Sequence, residues 1–221
     1  MRVLSPLEVR VLGVLVEKQC TVPDTYPLSL NALVAGCNQK TAREPIISAT
    51  DADAMVAVDG LKSLSLVFEG SSTRVLKFEH NLPRVLNLKP DAAALLTALM
   101  LRGAQTSAEL RSNADRLQRF TDVAAVEALL HDMAQREPAR VIKLPRASGE
   151  REARWAHLLC GEPVLAASHD VATPVAADSV GAGEIAALRA EQTRLGGEVA
   201  HLRALVQRLA DELGIDTRGA G

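Results

Sequence analysis

Leu4-Ser5-Pro6-Leu7-Glu8-Val9-Arg10-Val11-Leu12-Gly13-Val14-Leu15-Val16 stands near the start of the chain. Leu88-Lys89-Pro90-Asp91-Ala92-Ala93-Ala94-Leu95-Leu96-Thr97-Ala98-Leu99-Met100 stands 84 residues further on. Leu4-Ser5-Pro6 answers to Leu88-Lys89-Pro90, and Val11, Leu12, Leu15 and Val16 answer to Leu95, Leu96, Leu99 and Met100. The i, i+1, i+4, i+5 spacing places four apolar side chains on one helical face. Proline falls at the first helical position of both stretches, where a missing N–H costs no hydrogen bond. Ser5 and Glu8 have the spacing of a capping box. One helical part is used twice.

The elements that follow recur as well. Ser29 is placed to cap a second helix carrying Leu30, Leu33, Val34 and Cys37; Thr106 or Ser107 is placed to cap one carrying Leu110 and Leu117. Third helices are predicted from Thr50-Asp51, with Ala54, Ala57, Val58 and Leu61 on the apolar face, and from Thr121-Asp122, with Val126, Leu129, Leu130 and Met133. Each copy then reads as a hairpin. Leu66 to Glu69 and Arg74 to Glu79 flank Gly70-Ser71-Ser72-Thr73; Val141 to Leu144 and Ala153 to Leu158 flank a turn with Ser148-Gly149. Three helices and a two-stranded ribbon is the order of a winged helix, an elaborated helix-turn-helix. The predicted fold class is α+β, mainly helical: two tandem winged-helix domains at 4–80 and 87–160, a linker and a C-terminal coiled-coil-like helix.

Composition narrows the function classes. Of 221 residues, 48% are hydrophobic, enough for ordinary cores. The aromatic residues are Trp155, Tyr26, Phe68, Phe78 and Phe120, too few for a base-stacking platform on single strands. The apolar run Val11 to Val16 is too short to span a bilayer and lacks the flanks of a signal peptide, so no membrane partner is expected. Cys20, Cys37 and Cys160 have no zinc-site or disulfide spacing and read as small buried thiols in a reducing, cytoplasmic compartment. Residues 1–80 carry 8 basic and 9 acidic side chains, 81–160 carry 12 and 9, and 161–221 carry 5 and 9. The second domain is thus the only basic block.

From Gly161 to Gly183 the chain turns to Ala, Val, Pro, Ser and Gly without periodicity, the composition of a flexible linker. Over 184–213 an a/d series follows: Ile185, Leu188, Gln192, Leu195, Val199, Leu202, Val206, Leu209 and Leu213. Branched residues at a and leucines at d favour a parallel dimer, with Glu184 facing Arg189 and Glu198 facing Arg203 across the seam. Gly196-Gly197 weakens the helix by about 1 kcal/mol per glycine. The segment reads as a homodimerising coiled coil or as an amphipathic helix folded back on its own domains.

No catalytic constellation emerges. The histidines His80, His131, His157, His169 and His201 are scattered, and no metal-binding, nucleophile-elbow or phosphate-loop motif is present, so no enzyme and no cofactor or metal is expected. A winged helix normally lays its third helix in the major groove. Here those helices carry Asp51, Asp53 and Asp59 against Lys62, and Asp122, Glu127, Asp132 and Glu137 against Arg136, which phosphates would repel. Two other surfaces are candidates for nucleic acid. The first is the loop with Gln39, Lys40, Thr41 and Arg43, which reads equally as a polar loop capping helix ends. The second is the hairpin with Lys143, Arg146, Arg151 and Arg154, which reads equally as a solvated ribbon ion-paired to Glu150 and Glu152.

Several stretches resemble the YceH-like family of uncharacterised bacterial proteins: Glu17-Lys18-Gln19, Tyr26-Pro27-Leu28-Ser29-Leu30-Asn31, Cys37-Asn38-Gln39-Lys40-Thr41 with Arg43-Glu44-Pro45, Leu101-Arg102-Gly103-Ala104-Gln105-Thr106, and Glu109-Leu110-Arg111. The resemblance covers about residues 4–160 and implies tandem winged-helix domains. It brings no activity, ligand or catalytic residue. The expected function is therefore a non-catalytic protein, DNA-associated or regulatory, with double-stranded DNA as partner; the alternative is a protein–protein interaction module without nucleic acid.

Overall fold

The computed structural model describes residues 2–70, 75–146 and 149–163. The first repeat begins with α1 (Pro6–Thr21), whose capping box joins Ser5 and Glu8. A single 3-10 turn leads into β1 (Leu28–Ser29) and α2 (Leu30–Cys37), capped by the Ser29 hydroxyl. Next come α3 (Asp51–Ser63), β2 (Val67–Gly70) and β3 (Lys77–His80). A short helix absent from the sequence reading, α4 (Leu82–Leu86), joins the repeats. The second repeat runs α5 (Pro90–Arg102), α6 (Ser107–Asn113), α7 (Val123–Gln135), β4 (Val141–Lys143) and β5 (Trp155–His157). The chain is α+β, with seven α-helices and two small antiparallel sheets among the described residues.

The repeat extends to the register of the strands. In the first sheet Leu28 pairs with Phe78, Val67 with His80 and Glu69 with Phe78. In the second, Gln105 bridges Trp155, Val141 pairs with His157 and Lys143 with Trp155. Each relation therefore has its counterpart, and the buried aromatic Phe78 becomes the buried aromatic Trp155. His80 and His157 occupy equivalent places, and burial pushes both imidazoles down to about 4, so both are neutral at pH 7.

Some expectations need correction. The second helix of the second repeat ends at Asn113, and Leu117 lies in the turns beyond it, where its N–H donates to Ala114 O. Capping sets the start of that helix, through a reciprocal box of Thr106 and Glu109. The cysteines are all free as expected, but only Cys37 is buried; Cys20 is exposed and Cys160 partly so. The linker, Gly161 to Gly183, falls mostly outside the described residues, and the a/d series from Ile185 to Leu213 wholly so.

The two repeats share one hydrophobic core. Val9 to Val16 of α1 and Ala92 to Leu101 of α5 are buried without interruption, so each helix is enclosed on every side and not along a single stripe. The two pack against each other where Gly13 faces Leu101; a Cβ on Gly13 would lie 2.9 Å from Leu101 Cδ2. Backbone bonds stitch the repeats at two further places: Leu4 N–H donates to Leu159 O at 2.8 Å, and Glu44 N–H to Leu101 O at 2.8 Å.

This shared core makes unfolding of the repeats a coupled event. Phe78→Ala, in the first repeat, should cost about 3–5 kcal/mol. It should lower the denaturant midpoint reported by the fluorescence of Trp155, which lies in the second. An unmoved Trp155 midpoint would show that the repeats unfold independently.

Candidate functional site

The loop after α2 is held down by its own polar side chains. Asn38 bonds Ala49 reciprocally, its amide donating to Ala49 O and accepting from Ala49 N–H, each at 2.8 Å. Arg43 is buried: its Nε donates to Gly36 O at 3.1 Å and its terminal nitrogens donate to both carboxylate oxygens of Glu17. Arg10 reaches the same loop from α1, donating to Cys37 O at 3.1 Å and Pro45 O at 2.6 Å. Burial and the neighbouring Arg43 charge lower the Arg10 pKa. The guanidinium of Arg43 is thus taken up by the fold. Gln39 is half-buried and donates to the carbonyl and hydroxyl of Thr41, whereas Lys40 and Thr41 are exposed.

The second hairpin separates its four cations into two kinds. Arg154 is committed: Nε donates to Glu150, and one terminal nitrogen to Ala104 O at 3.1 Å and Glu109 at 3.0 Å. Lys143 lies 5.4 Å from the Trp155 ring centroid and 4.0 Å from Glu127, while remaining exposed. Arg146 and Arg151 are exposed on either side of the turn, without an ion pair among the described residues. Glu150 pairs along its own strand end with Arg154, not across the ribbon.

The carboxylates of the third helices serve local ends. Asp53 completes a capping box with Thr50, and Asp122 caps α7. Asp59 and Glu69 both meet Lys62, and Asp132 meets Arg136. On α3 the outward face shows Asp51, Asp53, Val56 and Asp59. Among the described residues no group of His, Cys, Asp and Glu is placed to hold a metal ion, and no helix is long and apolar enough to cross a membrane.

Sequence reasoning missed a junction cleft. Lys18 and Thr21 of α1, Thr41, Arg102 of α5 and Arg116 line a cavity of about 160 Å³ between the repeats. Part of the sequence that carried the resemblance converges on it: Glu17-Lys18, Gln39, Thr41 and Leu101-Arg102. The signal was the clustering of polar residues at the ends of two apolar helices, which only the α1–α5 contact brings together.

The fold and surfaces define, among the described residues, two fused helix-and-hairpin repeats with basic features on the second hairpin and in the junction. A family model described as "Protein of unknown function, DUF480" matches residues 4–150. The chain is 60% identical over 221 residues to a UPF0502 protein of Burkholderia multivorans, covering 100% of this chain and 94% of that one. It is 59% identical over 216 residues to a UPF0502 protein of Leptothrix cholodnii, covering 97% of each. The chain belongs to this DUF480/UPF0502 family of uncharacterised bacterial proteins. The match to these relatives continues past residue 150 into the C-terminal segment.

The Arg43–Glu17 pair should behave as a structural clamp. Removing one partner of a buried ion pair costs about 3–5 kcal/mol, whereas an apolar pair of similar volume can be nearly neutral. Thermal unfolding should therefore show Arg43→Met strongly destabilised, and Arg43→Met with Glu17→Met losing less than the two single losses combined. Strict additivity would mean that the two side chains act separately.

Proposed function

We propose that this is a non-catalytic cytoplasmic protein whose two repeats are winged-helix domains, and that it associates with duplex DNA through the second wing. The observation that carries this reading is the pair Arg146 and Arg151, exposed beside the β4–β5 turn with no carboxylate partner among the described residues. The winged-helix assignment is supported by the identical order of three helices and a hairpin in both repeats, and by the matching ladder registers. Lys40 and Thr41 are the loop residues that remain open to a phosphate, since Arg43 is buried. The third helices stand away from the backbone because their outward carboxylates are repelled by it.

A second reading, a protein–protein interaction module, is favoured by one observation. Val56 is 74% exposed in the centre of α3, and Ile46 is 61% exposed in the loop before it. Titration of random-sequence duplex DNA at low and moderate salt separates the readings. Binding that weakens steeply with salt supports DNA association; no binding at low salt supports the protein partner. Arg146→Gln with Arg151→Gln should account for nearly the whole loss seen when Lys143 and Arg154 are changed as well. It should flatten the slope of log K against log salt by about 1.8 for two lost phosphate contacts. If that double variant binds as the parent does, the wing is a solvated hairpin.

We also propose that residues 184–213 join two copies of the chain in a parallel coiled coil. The support is the a/d series and its complementary charges. Light scattering should give a dimer for the full chain at tens of micromolar and a monomer for a chain ending at Gly161. A monomeric full chain, or a dimer that survives truncation, contradicts this.

A further inference from the structure

We infer that the cleft at the junction of the repeats is a binding site for a small oxyanion, a molecule bearing a phosphate or carboxylate group. The lining of the cleft carries an excess of positive charge. Among the described residues Glu17 is the only carboxylate lining the cleft, and both of its oxygens are held by Arg43. Lys18, 3.5 Å from Glu17, shares that single negative charge. Arg102 and Arg116 also line the cavity, and neither has an ion pair among the described residues. Three basic residues therefore line a cavity of about 160 Å³, with one already-committed carboxylate among them.

The helix ends do not account for this surplus. Lys18 and Arg102 stand in the last turns of α1 and α5, where positive charge complements the helix dipole. Yet the carbonyls there are largely supplied with donors: Lys18 O accepts from Val22, Leu99 O from Gly103 and Leu101 O from Glu44. Arg116 lies beyond the end of α6 and serves no such end. Ala98 and Leu101 form an apolar wall, which strengthens both the repulsion among the cations and the attraction of an anion. Two guanidiniums match the paired oxygens of phosphate or carboxylate, an ammonium adds a point charge, and the hydroxyl of Thr41 can donate a further hydrogen bond. The loop containing Gln39 and Thr41 thus borders a pocket of small-molecule size. Because Lys18 and Thr41 come from the first repeat and Arg102 and Arg116 from the second, the ligand would bridge the two.

The test is thermal unfolding of the full chain titrated with inorganic phosphate, and in parallel with succinate, against chloride at equal ionic strength. A saturable rise with at least one of the two is expected, about 3–5 °C at ten times its Kd. Arg102→Gln with Arg116→Gln should abolish it. Arg116→Gln alone, at an exposed position that should leave the far-UV circular dichroism unchanged, should weaken the apparent Kd at least tenfold. The wing variant Arg146→Gln with Arg151→Gln should retain the response, so failure of the anion site and failure of the DNA reading are distinguishable. No saturable rise with either anion up to tens of millimolar, a rise that survives loss of Arg102 and Arg116, or one abolished by the wing variant overturns the proposal.

Discussion

Gly13 lets α1 approach α5 closely, and the Leu101 side chain fills the space that a Cβ would need. Both helices then bury long continuous runs, Val9 to Val16 and Ala92 to Leu101. A helix enclosed on all sides needs neighbours on all sides, and each repeat supplies only some of them. The other repeat supplies the rest. The Leu4–Leu159 and Glu44–Leu101 backbone bonds follow from that approach, because they join segments the two helices bring together.

The same contact decides where charge is left over. Near the junction, buried Arg10 and Arg43 are spent on carbonyls and on Glu17, holding the loop after α2 against α1. On the third helices, carboxylates are spent on caps and short-range ion pairs. Exposed basic groups remain on the second hairpin; at the junction Lys18 and Arg102 are half-exposed and Arg116 is exposed. Those two places differ in kind. The hairpin presents Arg146 and Arg151 at an exposed turn, whereas the cleft is small and includes Ala98 and Leu101 in its lining.

The two repeats also divide their work unequally. They share a ladder register and an aromatic centre, yet Phe78 is paired with Glu69 where Trp155 is paired with Lys143. The structural positions are kept while the surface charge is changed. This leaves the first repeat as a support for the loop and the junction, and the second as the carrier of the basic hairpin.

Much of the local architecture was legible in the sequence. Proline at the first helical position, the Ser5–Glu8 and Ser29 caps, and the third helices starting after Thr50 and after Asp122 are decided by residues within a few positions of one another. The turn residues that mark the hairpins are equally local. Such features need no knowledge of distant chain. Helix α4 escaped because five residues are too few to show a period, and Leu117 was assigned to a helix that its own turn had already ended. The site was less legible. For Arg43 and Arg154 the sequence left a nucleic-acid contact and a local structural role equally open, because Glu17 and Glu109, which engage them, lie 26 and 45 residues away. The junction cleft was invisible for the same reason. Sequence determined the three main helices and the hairpin of each repeat; only tertiary structure decided which distant charges meet, since such an ion pair depends on a distance of a few ångströms that long-range packing alone sets.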